Sequence, residues 1–203
     1  MRLQNPLGAL CPTLESEILL ALAQEDGLTP GQLVRSKGIG GSVSGARKCL
    51  ERLTSGGLVR ERSIGNRREY SLNKDHLLAE VVTRAVNARA QFLSQLQSRI
   101  AQWTTNPVQV TLFGSAARGD MRDESDIDLL VIVEDDPDDE FFEDLNDLAI
   151  HANALTGNDV RPLVYEISEV LPAPIFDSIL RDGVHVYGDQ QWLRQRLGLT
   201  VAA

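Results

Sequence analysis

Two things are scarce in this sequence. Its 203 residues include only two cysteines, Cys11 and Cys49, too few for a disulfide framework and without metal-ligand spacing, so both read as small buried apolar residues. No apolar run approaches the roughly 20 residues that cross a bilayer, and Met1 to Leu10 lacks the charged-then-apolar layout of a signal peptide. The expected location is cytoplasmic, with no membrane partner. Hydrophobic residues at 42% and charged residues at 24% are enough to build packed cores, which excludes collagen-like and disordered chains. The length allows one large domain or two small ones.

The net charge of −9 hides an asymmetry. Residues 1–102 carry 14 Lys and Arg against 9 Asp and Glu, whereas residues 103–203 carry 6 against 20. A basic half joined to a strongly acidic half implies two modules with different partners, a polyanion for the first and a divalent metal for the second.

In the basic half, Thr13 precedes an amphipathic run with Ile18, Leu19, Leu22 and Ala23 on one face, stopped at Asp26-Gly27. Thr29-Pro30-Gly31-Gln32 reads as a capping box opening a short second helix that Gly38 ends. Ser42 caps a third, with Val43, Ala46, Cys49, Leu50 and Leu53 facing inward and Ser44, Arg47, Lys48, Glu51 and Arg52 outward. Leu58 to Arg62, a turn at Gly65-Asn66, and Arg68 to Leu72 then alternate as a β-hairpin, with Tyr70 and Leu72 pointing in.

Three helices followed by a hairpin resemble the winged helix-turn-helix of bacterial transcription regulators, over about residues 14–74. The resemblance implies that the third helix enters the major groove of double-stranded DNA while the wing touches backbone or minor groove. It assigns Ser44, Arg47, Lys48 and Arg52 to the recognition helix and Arg67 and Arg68 to the wing. Eight Lys or Arg against three Glu between Ser42 and Lys74 agree with that assignment. Residues 75–103 read as one long helix with an apolar stripe (Leu78, Val81, Val82, Ala85, Phe92, Leu93, Leu96, Ile100), a strut between domains or a homodimer surface.

In the acidic half, an apolar strand from Val108 to Phe113 runs into Gly114-Ser115-Ala116-Ala117-Arg118-Gly119, and Ser125-Asp126-Ile127-Asp128 opens a second strand. Alternation along a strand puts Asp126 and Asp128 on one side and Ile127 on the other. Two carboxylates beside a glycine-turned loop suit a divalent ion that arrives with nucleotide phosphates. Gly114-Ser115, ten residues, then Asp126-Ile127-Asp128 resembles the motif of the DNA polymerase β-type nucleotidyltransferase superfamily, and GSAARGDMRDESDIDLLVIV is similar to its minimal bacterial members. The likeness covers about residues 104–188. It implies that Gly114 and Ser115 bind nucleotide phosphates and that Asp126 and Asp128 hold two Mg²⁺ ions if the protein is active, with ATP or another NTP as donor. Arg118 either contacts phosphate or pairs with nearby acids.

Active members of that superfamily place a third carboxylate on the next strand, which here reads Asp159 to Glu166. Asp159 is the first candidate for a third catalytic carboxylate and Glu166 the second, because the usual location holds Arg161 or Leu163. The acidic run from Glu134 to Asp147 reads as a helix start with Phe141, Phe142, Leu145, Leu148, Ala149, Ala152 and Leu155 as its core face. Pro172 to Arg181, Val184 to Tyr187 and Asp189 to Leu197 read as helix, strand and helix.

The expected architecture is therefore α+β. A winged helix-turn-helix occupies residues 1–74, a connecting helix 75–103, and a nucleotidyltransferase-like domain with a mixed sheet 104–203. The expected function is transfer of an NMP, AMP first, from an NTP to a protein or small-molecule hydroxyl, as in an autoregulating antitoxin whose acceptor is a toxin. The alternative is a transcription regulator whose degenerate nucleotidyltransferase domain senses nucleotide or mediates assembly.

Overall fold

A computed structural model describes residues 1–199. The chain divides into two compact units, one made of residues 5–89 and the other of residues 1–4 together with the chain from Ala90 onward.

In the first unit, α1 (Leu14–Gln24), α2 (Pro30–Arg35) and α3 (Val43–Ser55) precede an antiparallel hairpin of β1 (Val59–Ile64) and β2 (Arg67–Leu72). The helix–helix–helix–hairpin order of a winged helix-turn-helix is present. Thr29 and Gln32 complete the capping box on α2, a device whose loss costs about 1 kcal/mol. The Ser42 hydroxyl accepts from Gly45 N at the start of α3, whereas Thr13 makes no side-chain cap on α1. Ile18, Leu22, Leu33, Ala46, Leu50, Tyr70 and Leu72 meet in one core. Leu28 pairs with Tyr70 as a one-residue third strand, tying the start of α2 to the wing.

The expected single helix over 75–103 is two: α4 (Ala79–Val86) and α5 (Ala88–Ile100), separated at Asn87. The stripe does not hold together across that break. Ala79 and Val82 are buried in the first unit's core, while Phe92, Leu96 and Ile100 belong to a core of the second. Leu78 and Val81 are exposed.

The second unit is a mixed four-stranded sheet in the order β5–β4–β3–β6, formed by β3 (Gln109–Phe113), β4 (Ile127–Val133), β5 (Val160–Glu166) and β6 (Val184–Gly188). β4 runs antiparallel to β3 and parallel to β5, with α7 (Asp139–Thr156) as the crossover. Central β4 is buried on both faces. Ile127, Leu129, Val131 and Val133 pack with α5 and α7, whereas Leu130 and Ile132 pack with α8 (Pro174–Asp182) and α9 (Trp192–Arg196). Asp138 caps α7 by accepting from Phe141 N, and Phe141 stands edge-on to Trp103 with ring centroids 5.6 Å apart. Phe142 and Leu155, expected on the core face of α7, are exposed. Phe142 directly follows buried Phe141, and neighbouring helical positions diverge by about a quarter turn.

Residues Met1–Gln4 pack in the second unit and not, as the expected boundary had it, in the first. Leu3 is buried in its core. The Met1 nitrogen donates to Thr156 O and Asn158 Oδ1, and Gln4 Nε2 donates to Met121 O.

Neither cysteine is fully buried. Cys11 is exposed and Cys49 half-buried. Burial pushes the Cys49 thiol up to about 11, reinforced by its hydrogen bond to Glu15 and the charge there.

Candidate functional site

Strand pairing assembles this site from three separate stretches of chain. Phe113, at the end of β3, pairs with Asp128, and on the opposite side of β4 Asp128 pairs with Arg161 of β5. The chain turns at Gly114 with φ +68°, and a Cβ built there would sit 2.3 Å from Asp128 Oδ2. Only glycine lets the loop backbone lie this close to the carboxylate while adopting a left-handed conformation. Gly114 opens α6 (Gly114–Arg118), which ends at Gly119. Ser115 is half-buried at its second position.

Asp126 and Asp128 emerge on the α8 face of β4, since Ile127 between them enters the opposite core. The turn before them is held from both sides. Arg122 N donates to Ser125 Oγ and buried Asn158 Nδ2 donates to Ser125 O. Asn158 was not singled out from the sequence, because its role depends on a contact 33 residues away. Burial raises the Asp128 carboxyl above its usual range, and the Asp126 charge raises it further, opposed by Arg161 and Arg118.

Arg161 is the residue whose role the sequence did not disclose. Its Nη1 lies 2.9 Å from Asp126 Oδ2 and its Nε 3.4 Å from Asp159 Oδ2. Asp159 stands just before β5, its side chain 67% exposed, with Oδ1 accepting from Val160 N. Glu166, the other candidate third carboxylate, lies at the far end of β5, paired with Val133. Arg118 Nε sits 3.2 Å from Asp120 Oδ2.

In the first unit, a cleft of about 820 Å³ lies between the start of α2, α3 and the wing. Arg35, Arg47, Arg67 and Arg68 line it together with Glu51 and Tyr70. Three of the expected DNA-facing residues are thus brought together with Arg35, which periodicity alone left on an unremarkable helix. Ser44 and Lys48 are exposed on α3 outside this lining. Arg52 turns toward α1, where its Nη2 pairs with Glu15 Oε1. Burial acts to raise Glu15, but hydrogen bonds from Thr13, Cys49 and its own backbone N–H, with the Arg52 charge, outweigh it and hold the carboxyl below its usual value.

Residues 95–191 match the family model described as polymerase beta, nucleotidyltransferase. The second unit is a nucleotidyltransferase domain. Among solved structures, a toxin–antitoxin with AMP-PNP is 19% identical, covers 51% of this chain and 79% of its own, and has a TM-score of 0.39. A mutant of the toxin–antitoxin MntA-HpeT is 17% identical, with the same coverage and TM-score. A minimal nucleotidyltransferase is 30% identical, covers 47% of this chain and 89% of its own, and has a TM-score of 0.33. No curated protein matches the chain.

Chemistry of this family implies Mg²⁺, and the nucleotidyltransferase domain meets that requirement only in part. Asp126 and Asp128 fit one ion, because a hard cation takes one or two carboxylates and completes its shell with phosphate oxygens and water. They do not fit two. Among the described residues no group of three or more His, Cys, Asp or Glu side chains is gathered to hold a metal. The β5 position in register with Asp128 carries the cation Arg161.

Proposed function

We propose that the chain is a DNA-binding nucleotidyltransferase that moves an NMP, AMP first, from an NTP to a hydroxyl on a protein or small molecule. The observation that carries this reading is the close approach of Gly114 to Asp128, because it sets the glycine turn directly against the carboxylate pair. In this reading the Gly114 backbone and the Ser115 hydroxyl hold the nucleotide phosphates, and Arg118, paired with Asp120, adds charge nearby. Asp126 and Asp128 would hold one Mg²⁺, which would supply positive charge to the nucleotide phosphates. Asp159 orients the acceptor from the entrance of β5. In-line transfer needs positioning and charge stabilisation more than a protein nucleophile.

For the first unit, the basic cleft supports contact with double-stranded DNA through Arg47, Arg67 and Arg68, joined by Arg35 and flanked by Ser44 and Lys48. Arg52 contributes less directly, since Glu15 holds it. Two half-sites read by a homodimer and a toxin as protein acceptor complete an autoregulating antitoxin. A second reading is favoured by one observation, the pairing of Arg161 with Asp126: a transcription regulator whose nucleotidyltransferase domain senses nucleotide without turning it over.

The deciding experiment incubates the protein with ATP, CTP, GTP or UTP labelled at the α-phosphate, Mg²⁺ and cell lysate. Label appears on an acceptor if the enzyme reading holds, and the double substitution Asp126→Asn, Asp128→Asn abolishes it. No label with any nucleotide, together with a nucleotide-dependent change in DNA affinity, replaces the enzyme by the regulator.

A further inference from the structure

Three charges of one sign surround Arg161. Its guanidinium lies within 2.9 Å of Asp126 and 3.4 Å of Asp159, it stands in register with Asp128, and its charge is felt at the Asp128 carboxyl. An arginine in that place does for the carboxylates what a divalent ion would, supplying positive charge, but it is covalently fixed and cannot be deprotonated. It also engages one Asp126 oxygen, Oδ2, that a metal would need, and it repels a second cation at close range.

We infer that Arg161 is the resident cation of this carboxylate group, standing where a second divalent ion would bind, and that it limits the site to a single ion. It is a specificity-determining residue for metal number. The pair with Asp126 is partly exposed, the Arg161 side chain being 65% accessible, so pairing alone is weak. Exclusion rests on the combination of a blocked ligand and an added positive charge. Replacing Arg161 with an acid reverses both effects at once, because it frees Asp126 and places a third carboxylate beside Asp128 on the adjoining strand.

The inference deepens the proposed nucleotide site and rests on that reading for its functional meaning. Its test uses no nucleotide, so failure of nucleotide binding and failure of this inference are read separately. The full chain is titrated with Mn²⁺ alone, and free ion is followed by its paramagnetic resonance signal. Arg161→Asp is expected to bind Mn²⁺ at least tenfold more tightly than the wild type, and Arg161→Ala to fall between them. Arg161→Lys keeps the cation and is expected to stay near wild type. Adding Asp126→Asn to Arg161→Asp should return the affinity toward the wild-type value, which ties the gain to this site. Wild-type protein holding two Mn²⁺ per chain, or Arg161→Asp binding no more tightly than wild type, overturns the inference.

Discussion

Replacing Gly114 with alanine tests the geometry on which the nucleotide site depends. Two effects combine at this position. Gly114 has φ +68°, and a left-handed backbone costs an alanine about 1–2 kcal/mol. The new Cβ would also lie 2.3 Å from Asp128 Oδ2 and 3.3 Å from its Cγ, so the carboxylate must swing away. Gly119 supplies an internal comparison. It has φ +77°, but its nearest neighbour to an added Cβ is Gln4 Cβ at 3.9 Å. Gly119→Ala should therefore lose stability through the backbone effect alone, seen as a fall in melting temperature on the order of 5–10 °C for a domain of this size, and Gly114→Ala at least as much. Only Gly114→Ala should lose ligand. Its affinity for Mg-ATP, measured by calorimetry, is expected to drop at least tenfold, about 1.4 kcal/mol, while Gly119→Ala binds as wild type. In an Asp128→Ala background the Gly114 substitution should add little further loss, because the clashing group is gone. Undiminished Mg-ATP binding by Gly114→Ala refutes the proposed seating of Asp128 on the loop.

Other outcomes follow from the same structure. Arg47→Ala with Arg67→Ala should weaken duplex DNA binding and flatten its dependence on salt in a gel-shift series, because fewer counterions are released; an unchanged salt slope removes the cleft from consideration. Asp159→Ala should leave Mg-ATP affinity near wild type and, if label transfer is observed, slow it strongly, whereas full activity excludes Asp159 from handling the acceptor. Glu15 has a lowered folded-state pKa, so its contribution to stability is present above the unfolded value near 4.5 and is lost as pH falls through the folded one. Urea unfolding from pH 6 to 3 should show wild type losing its advantage over Glu15→Gln across that interval, and parallel curves would contradict the assignment.

Local chemistry made much of this molecule readable in advance. The capping box at Thr29–Gln32, the Ser42 cap and the alternation around Tyr70 and Leu72 each act within a few residues, and each appears where the pattern placed it. The Asp126–Asp128 pair was likewise legible, since its shared face follows from strand geometry. What escaped depends on pairing across the chain. The partner of Asp126 is 35 positions later in the sequence, and only the parallel register of β4 and β5 brings Arg161 to it. Arg52 reads as outward-facing from helical periodicity, yet buried Glu15 on another helix captures it. The break at Asn87 left no mark in the apolar pattern, because the stripe is regular on both sides while its two halves enter different cores.

The anchoring of Met1–Gln4 in the nucleotidyltransferase domain dictates an order of assembly on the ribosome. Residues 5–89 emerge as a complete unit with local contacts and can fold early, as domains generally do during synthesis. Leu3 and the Met1 nitrogen must wait. Their partners Met121, Thr156 and Asn158 are made more than a hundred residues later, and contacts that distant in sequence close slowly. The opening segment thus joins its sheet domain only after those partners are made, and truncating those four residues removes contacts of that domain.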